Sequence, residues 1–234
     1  MKHFALALIL SCSLVAHAEC ARPKDATSQG VAGQSDEARL AYLGKLLNDE
    51  SGRARAYTRA WGAGYGVLTL AQLTIMPFFT REEQPAWYWG AFGAAFGLGF
   101  TLLGVPEVMD GGPLYAKKAS AATADNTCEL IAEGEKMLEV GADAEVSSFA
   151  WYLHAGNVLF NVGLGLILGL GYGHWQSAVI NTIVGVAIGE ANILTAPSHL
   201  ISGLKRYRQG EAPSAVTINV IPTAGPGLGV LVRF

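Results

Sequence analysis

The chain has 234 residues, of which 51% are hydrophobic and only 15% are charged. Charged residues make up about 25% of a typical soluble domain, so this composition favours a membrane protein. The net charge of −3 is small and the basic residues form no long run, which argues against a nucleic-acid partner. The 29 glycines also suit membrane helices, in which glycine lets neighbouring backbones approach closely.

Residues 1–18 are typical of a secretory signal peptide. Lys2 precedes an apolar run, and Ala-His-Ala at 16–18 is a small-x-small cleavage motif. An uncleaved anchor is the alternative, although the apolar run is short for a membrane span. Export would leave Cys20 and Cys128 in an oxidising compartment, where a disulfide between them is expected and two free or intermolecular thiols are the alternative.

A flexible leader and a first helical unit follow. Residues 19–34 are poor in large apolar side chains, which favours a flexible leader. Residues 35–106 begin with an amphipathic helix that Ser35 can cap. The helix leads into apolar runs at 60–79 and 86–105. A helix needs about 20 residues to cross roughly 30 Å of hydrocarbon, so these runs predict a transmembrane hairpin.

A second unit of the same kind is predicted after a polar linker at 107–126. Residues 127–197 begin with another amphipathic helix, with Asn126 as its expected cap. Two apolar runs, at 149–171 and 177–196, then form a second transmembrane hairpin. The two units together predict four transmembrane helices.

The two units place similar residues at similar positions, which suggests an internal repeat. Trp61 and Trp151, Trp87 and Trp175, and Pro106 and Pro197 form pairs about 90 residues apart. Chance agreement of two membrane hairpins is the alternative, because identity between the halves is sparse. Tryptophans at the ends of the apolar runs are expected to anchor the helices at the membrane interface: Trp61, Trp87, Trp89, Trp151 and Trp175.

The C-terminal region changes character twice. Residues 198–212 predict a short basic interfacial helix, and residues 213–234 alternate in polarity around a Pro/Gly turn, which predicts a β-hairpin tail. Apolar residues at Leu228, Val230 and Val232 lead to a terminal Phe234. This last strand resembles the C-terminal signal of bacterial outer-membrane barrel proteins.

A small outer-membrane β-barrel is therefore the alternative fold. Apolar residues alternate with Gly and Ala over 92–102, as lipid-facing strands could. A barrel interior should be polar, however, and the amphipathic segments do not supply the strands needed for closure. Helices satisfy their own backbone groups within each span. We therefore predict an all-α membrane protein of two repeated hairpins with preceding amphipathic helices, plus a C-terminal β-hairpin.

The sidedness of this arrangement conflicts with the usual charge rule. With four spans after a cleaved signal, both termini lie outside the cytoplasm and the turns at 80–85 and 172–176 lie inside. Among the Lys and Arg residues of the mature chain, only Arg81 falls in these turns. Two locations stay open: an inner membrane with the termini outside the cytoplasm, or an outer membrane.

Polar residues inside the second hairpin form the candidate site. His154, Asn157 and Asn161 share one face of the third span. Glu190 in the antiparallel fourth span should lie near their depth, where an unpaired carboxylate is costly. We expect Glu190 to hydrogen-bond with Asn157 and His154, either as a fastening between helices or as a proton or cation site.

The function predicted from these features is a structural or assembly role in the cell envelope. The chain has no motif of a hydrolase, a metal site, a phosphate loop or a dinucleotide site, so no enzyme activity, cofactor or metal is expected. The alternative is a small transporter, channel subunit or sensor that uses Glu190. The expected partners are the lipid bilayer and either other envelope proteins or a homo-oligomer, with no nucleic acid.

Overall fold

The computed structural model describes residues 19–104, 108–210, 217–222 and 228–233, the last two ranges by their backbone. The helices in this part of the chain are α1 (Asp36–Ile75), α2 (Gln84–Leu103), α3 (Val108–Ser120), α4 (Thr127–Ser148), α5 (Trp151–Leu166), α6 (Trp175–Leu194) and α7 (His199–Gln209). The strands are β1 (Thr217–Pro222) and β2 (Leu228–Arg233). The predicted signal peptide at 1–18, Pro106 and Phe234 lie outside the described residues.

Helix α1 joins the two parts of the molecule. Its 40 residues are continuous, so the predicted amphipathic helix and the first predicted span form one helix. The predicted Ser35 cap is confirmed, because Ser35 Oγ accepts a hydrogen bond from the Ala38 amide at 3.3 Å. Leu43 near the start of α1 is fully buried, whereas Leu70 near its end is 66% exposed. The first half of α1 therefore belongs to a packed core and the second half to an apolar surface.

The packed core lies in a region that we call the head, formed by the first half of α1 together with α3, α4 and α7. The apolar stripes of these helices face one another, as amphipathic helices require. The fully or almost fully buried core side chains include Leu43, Leu47, Tyr115, Ile131, Leu138, Leu200 and Tyr207.

The segment 19–34, predicted as a flexible leader, packs against the head. Ala32 is fully buried, and the Thr27 amide donates to the Arg208 carbonyl at 2.8 Å. Cys20 is bonded to Cys128. The leader buries little apolar surface, so the covalent bond and backbone hydrogen bonds supply what its composition lacks.

The region 107–126, predicted as a linker, contains α3. Gly112 brings α3 against the backbone of α1 at Leu47, which only a residue without a side chain permits. Pro113 lies inside the helix and cannot donate to the Met109 carbonyl. Ser51 Oγ and Arg55 Nη2 on α1 donate to that carbonyl instead, at 2.6 and 2.8 Å. Long-range packing therefore supports a helix that composition disfavours.

The predicted capping role of Asn126 at the start of α4 is wrong. The Asn126 side chain makes no hydrogen bond to the first turn of α4. Its Oδ1 accepts from the Thr123 amide at 2.8 Å instead, and so closes the turn that precedes the helix. Asparagine often bonds to nearby backbone in this way, which competes with capping.

The second half of α1 with α2, α5 and α6 forms the membrane bundle. Among the described residues, three helical regions are long and apolar enough to cross a membrane: one that begins with α2, Trp151–Gly171, and one that begins with α6. They indicate a membrane protein built from helices, and the β-barrel alternative is therefore wrong. The fourth span, at 60–79, stays a prediction.

The two strands lie beyond the last helix. They pair antiparallel, with Thr217 opposite Arg233 and Pro222 opposite Leu228. Helix α7 ends at Gly210, which takes a left-handed backbone with φ 78°. The last strand resembles the C-terminal signal of barrel proteins, whereas the membrane-spanning part of the described chain is helical. An outer-membrane signal in the tail stays a prediction.

Candidate functional site

The membrane bundle consists of two helical hairpins, α1 with α2 and α5 with α6. Helices pack closely within each hairpin, whereas the two hairpins contact each other less. Helix α5 continues into a π-helical turn at Ile167–Gly171, and Gly173 then takes a left-handed backbone with φ 74°. Glycine adopts this conformation without steric cost. The resulting short turn sets α5 and α6 side by side.

Polar side chains meet between α5 and α6. His154 Nδ1 lies 2.5 Å from Glu190 Oε2. Asn157 Nδ2 donates to Glu190 Oε1 at 2.9 Å and to the Val186 carbonyl at 3.0 Å. Both oxygens of the Glu190 carboxylate therefore have a partner on the neighbouring helix. A carboxylate at membrane depth needs such partners, because leaving it unpaired costs several kcal/mol.

Asn161 extends this group by one helical turn along α5. Its Nδ2 donates to the side-chain oxygen and to the backbone carbonyl of Asn157, both at 2.9 Å. Thr182 on α6 donates to the Asn161 carbonyl at 3.2 Å. The structure thus brings together the four residues of the predicted polar cluster, which are His154, Asn157, Asn161 and Glu190.

Two glycines on α6 make room for the asparagines. A Cβ atom at Gly189 would overlap the Asn157 amide, and one at Gly185 would overlap the Asn161 amide. Small residues let membrane helices approach closely, and here they also admit amide groups between two helices. The sequence contains both the glycine step and the asparagines, but their one-to-one pairing depends on the register of the two helices.

A cavity of about 370 Å³ lies between the two hairpins, and all four helices of the bundle contribute to its wall. Asn157 and Asn161 line it, so the polar cluster and the cavity share a wall. Glu190 and His154 lie at the edge of the cluster, with 28% and 33% of their side-chain surfaces exposed. The volume falls in the range of about 300–1,000 Å³ that is typical of small-molecule sites.

The predicted interface anchors have different environments. Trp151 and Trp175 are 78% and 54% exposed, as anchors in an interface would be. Trp61 Nε1 donates to Thr195 Oγ1 at 2.9 Å and so ties α1 to the end of α6. Trp87 packs on Phe79 at the turn between α1 and α2. Trp89 packs edge-on against Phe92 of its own helix.

Cys20 and Cys128 are joined by a disulfide with their Cα atoms 5.2 Å apart. Asp36 lies beside them, and its Oδ2 accepts from the Cys20 amide at 3.0 Å. Two cysteines and a carboxylate are metal-ligand types, but these sulfurs are bonded to each other and offer no thiolate. The arrangement therefore links the leader to the start of α4.

A buried arginine at the centre of the head was not predicted. The Arg39 side chain has no exposed surface, and it donates to Tyr207 at 3.2 Å, Glu135 at 2.8 Å, Asp36 at 2.9 Å and two leader carbonyls. Burial alone would lower the pKa of Arg39, but the hydrogen bonds to Tyr207 and Glu135 raise it. The one sign in the sequence that Arg39 would be buried is its position beside Leu40, on the apolar stripe of α1.

A second unpredicted group is a pair of buried carboxyl groups where α7 begins. Glu50 and Glu145 are 1% and 7% exposed. Glu145 Oε2 accepts from the Ile201 amide at 3.0 Å, and Glu50 Oε2 accepts from Arg53 at 3.1 Å. Burial, opposed in part by the Ile201 hydrogen bond and assisted by the Glu50 charge, raises the pKa of Glu145 to about 7.

The fold and the site together define a helical membrane protein with a disulfide-linked head. No family model, curated protein or solved structure matches the chain.

Proposed function

We propose that this protein is a non-catalytic integral membrane protein of the cell envelope with a structural or assembly role. The observation that carries the proposal is that both carboxylate oxygens of Glu190 are bonded to residues of α5. A polar group held in this way fastens two membrane helices together. A transported ion or proton would first have to displace these bonds.

The head supports the same role. The disulfide and the hydrogen bonds of Arg39 tie the leader, α1, α4 and α7 into one unit. Large exposed apolar side chains are concentrated in the bundle, with few on the head, such as Leu114 and Val140. An apolar bundle in the lipid bilayer would therefore carry a polar head towards other envelope proteins or a second copy of the chain.

A small transporter, channel subunit or sensor centred on Glu190 is the second candidate. Two observations favour it: Glu190 and His154 keep about a third of their surfaces exposed, and Asn157 and Asn161 line the cavity. Ionisable residues inside membrane spans often mark ion or proton pathways.

Reconstitution into liposomes separates the two candidates. Proton and sodium flux and the thermal stability of the bundle would be measured for the wild type and for Glu190→Gln. For a structural role we expect no flux above that of empty liposomes, and a loss of about 1 kcal/mol in stability for the variant. Asn181→Ala is the matched control, because the Asn181 amide donates to the Ser177 carbonyl within its own helix.

Wild-type flux that Glu190→Gln abolishes, with stability unchanged, would refute the structural role and support the second candidate. If Glu190→Gln and Asn181→Ala had equal effects on stability, the fastening role of Glu190 would be refuted.

Location in the envelope is part of the proposal. Cleavage of residues 1–18 would yield a mature chain that begins at Glu19, which mass spectrometry of the purified protein measures directly. Separation of inner and outer membranes decides between the two locations. Protease accessibility of the head from outside the cytoplasm tests the orientation.

A further inference from the structure

We propose that the cavity between the two hairpins binds a neutral lipid that has an apolar chain and a hydrogen-bonding group. The cavity shares Asn157 with the contacts of Glu190, but Glu190 itself does not line it. Its occupant would come from the surrounding bilayer. The argument rests on the shape of the cavity, the chemistry of its wall, the side on which it opens and two unpartnered donors.

The cavity is long in the direction of the helices. On α6 its wall extends at least from Asn181 to Asn192. These residues lie about 16 Å apart along the axis, since an α-helix rises about 1.5 Å per residue. A cavity of about 370 Å³ with this length suits an extended chain better than a compact polar molecule.

The wall combines apolar and aromatic side chains with amides. The Phe96 and Phe160 rings stack at 4.2 Å on one part of it, and Tyr65 contributes a third ring. The amide side chains that line it are Gln72, Asn157, Asn161, Asn181 and Asn192.

The described residues that line the cavity include no Asp, Glu, Lys, Arg or His. A charged headgroup would therefore lack a counter-charge in an apolar layer, where unpaired charge is costly. Amides recognise carbonyl and hydroxyl groups, which neutral lipids carry. The lining thus selects against fatty acids and anionic phospholipids.

Two buried donors at the cavity wall lack a partner among the described residues. They are Trp89 Nε1 and Asn192 Nδ2, and Asn192 as a whole is only 6% exposed. An unpaired N–H group in an apolar environment costs about 1–3 kcal/mol. A carbonyl or hydroxyl oxygen of an occupant that accepts from these N–H groups would remove this cost.

The cavity opens between α2 and α5. The lining residues Phe96 and Phe100 on α2 are 52% and 53% exposed, and Tyr152 on α5 is 54% exposed. Gly156 also lines it and is exposed, and a Cβ atom there would meet nothing within 4 Å. Since α2 and α5 both lie in the apolar bundle, this opening would face the hydrocarbon layer and admit a lipid from the side.

Photo-crosslinking tests the proposal. The protein in phosphatidylcholine nanodiscs would receive a diacylglycerol that carries a diazirine in one acyl chain, or a phosphatidylglycerol with the same chain. We expect the diacylglycerol to label peptides of α2 and α5 around the cavity at least fivefold more than the phosphatidylglycerol does. Gly156→Leu should fill the opening and reduce this labelling at least fivefold.

Gly163→Leu is the matched control. Gly163 lies on the same helix, a Cβ atom there also meets nothing within 4 Å, and it does not line the cavity. Equal labelling of the two variants, labelling spread over the whole apolar belt, or preference for phosphatidylglycerol would overturn the proposal. If Gly156→Leu does not assemble, excess unlabelled diacylglycerol must suppress labelling of the wild type, and labelling that does not saturate refutes a defined site.

Discussion

Arg39 and Glu135 lie 96 positions apart in the sequence and form a 2.8 Å ion pair in which the Arg39 side chain is fully buried. Tyr207 donates a 2.5 Å hydrogen bond to the same Glu135 oxygen. Arg39 lies on α1, Glu135 on α4 and Tyr207 on α7, so the three residues together hold three helices of the head. A charge buried this deeply is tolerated because the leader, α1, α4 and α7 each supply it with a hydrogen-bond partner.

Arg39→Met should therefore lower the free energy of unfolding of the head by about 3–5 kcal/mol, because it leaves Glu135 without its counter-charge. Thermal unfolding in mild detergent, followed by circular dichroism, measures this. Arg22→Met is the control, because Arg22 and its partner Glu19 are 41% and 74% exposed and such pairs contribute about 0–1 kcal/mol. Similar losses for both variants would contradict a central role for Arg39.

Removal of the disulfide should destabilise the leader and the head together. The Cys20–Cys128 bond closes a loop with a sequence separation of 108, so its loss should cost about 2–5 kcal/mol, largely through the unfolded chain. Wild-type protein with and without reductant would be compared with the double variant Cys20→Ser, Cys128→Ser. Reductant should lower the unfolding midpoint of the wild type and leave the double variant unchanged; an unchanged wild type would argue against the bond.

The stability of the head should fall between about pH 4.5 and 7 because of Glu145. Its pKa rises from an ordinary value of 4.5 to about 7 in the folded protein, chiefly through burial. In this window the folded state binds a proton that the unfolded state has released, so stability is highest below the window and decreases as pH rises. The effect should be on the order of 3 kcal/mol, since one pKa unit corresponds to about 1.4 kcal/mol.

Glu145→Gln tests this pH dependence, because the glutamine keeps an acceptor for the Ile201 amide but cannot ionise. The variant should flatten the decrease between pH 4.5 and 7 and exceed the wild type in stability at pH 8. Glu129→Gln on the same helix replaces an exposed carboxylate and should keep the wild-type profile. An unchanged profile in Glu145→Gln would assign the pH dependence to other groups.

The sequence predicts the parts of the fold that follow from local periodicity. The spacing of His154, Asn157 and Asn161 on one face, and the depth of Glu190 in the next helix, bring the four residues together once the turn is short. Composition also distinguishes apolar runs from polar ones, which is why the second hairpin was located from the sequence.

The features that were missed depend on contacts between distant segments. Arg39 reads as one charge among several on an amphipathic helix, until residues of the leader, α4 and α7 surround it. The Gly and Pro content of α3 argues against a helix in the sequence. The helix forms because Ser51 and Arg55 on α1 donate to the Met109 carbonyl that Pro113 leaves without a partner. Nothing in the sequence between the polar and apolar halves of α1 ends a helix, and the predicted amphipathic helix and the predicted span at 60–79 form one continuous helix.

Alanine substitution of Gly112 tests the contact between α1 and α3, and Gly52 provides the control. A Cβ atom at Gly112 would overlap the Leu47 carbonyl, so Gly112→Ala must push α3 away from α1 and should cost about 1–3 kcal/mol. Gly52 on α1 is exposed and has nothing within 4 Å of an added Cβ. Gly52→Ala should therefore raise stability by about 0.5–1 kcal/mol through helix propensity. Thermal unfolding measures both variants, and a stabilised Gly112→Ala would show that the two helices do not approach closely.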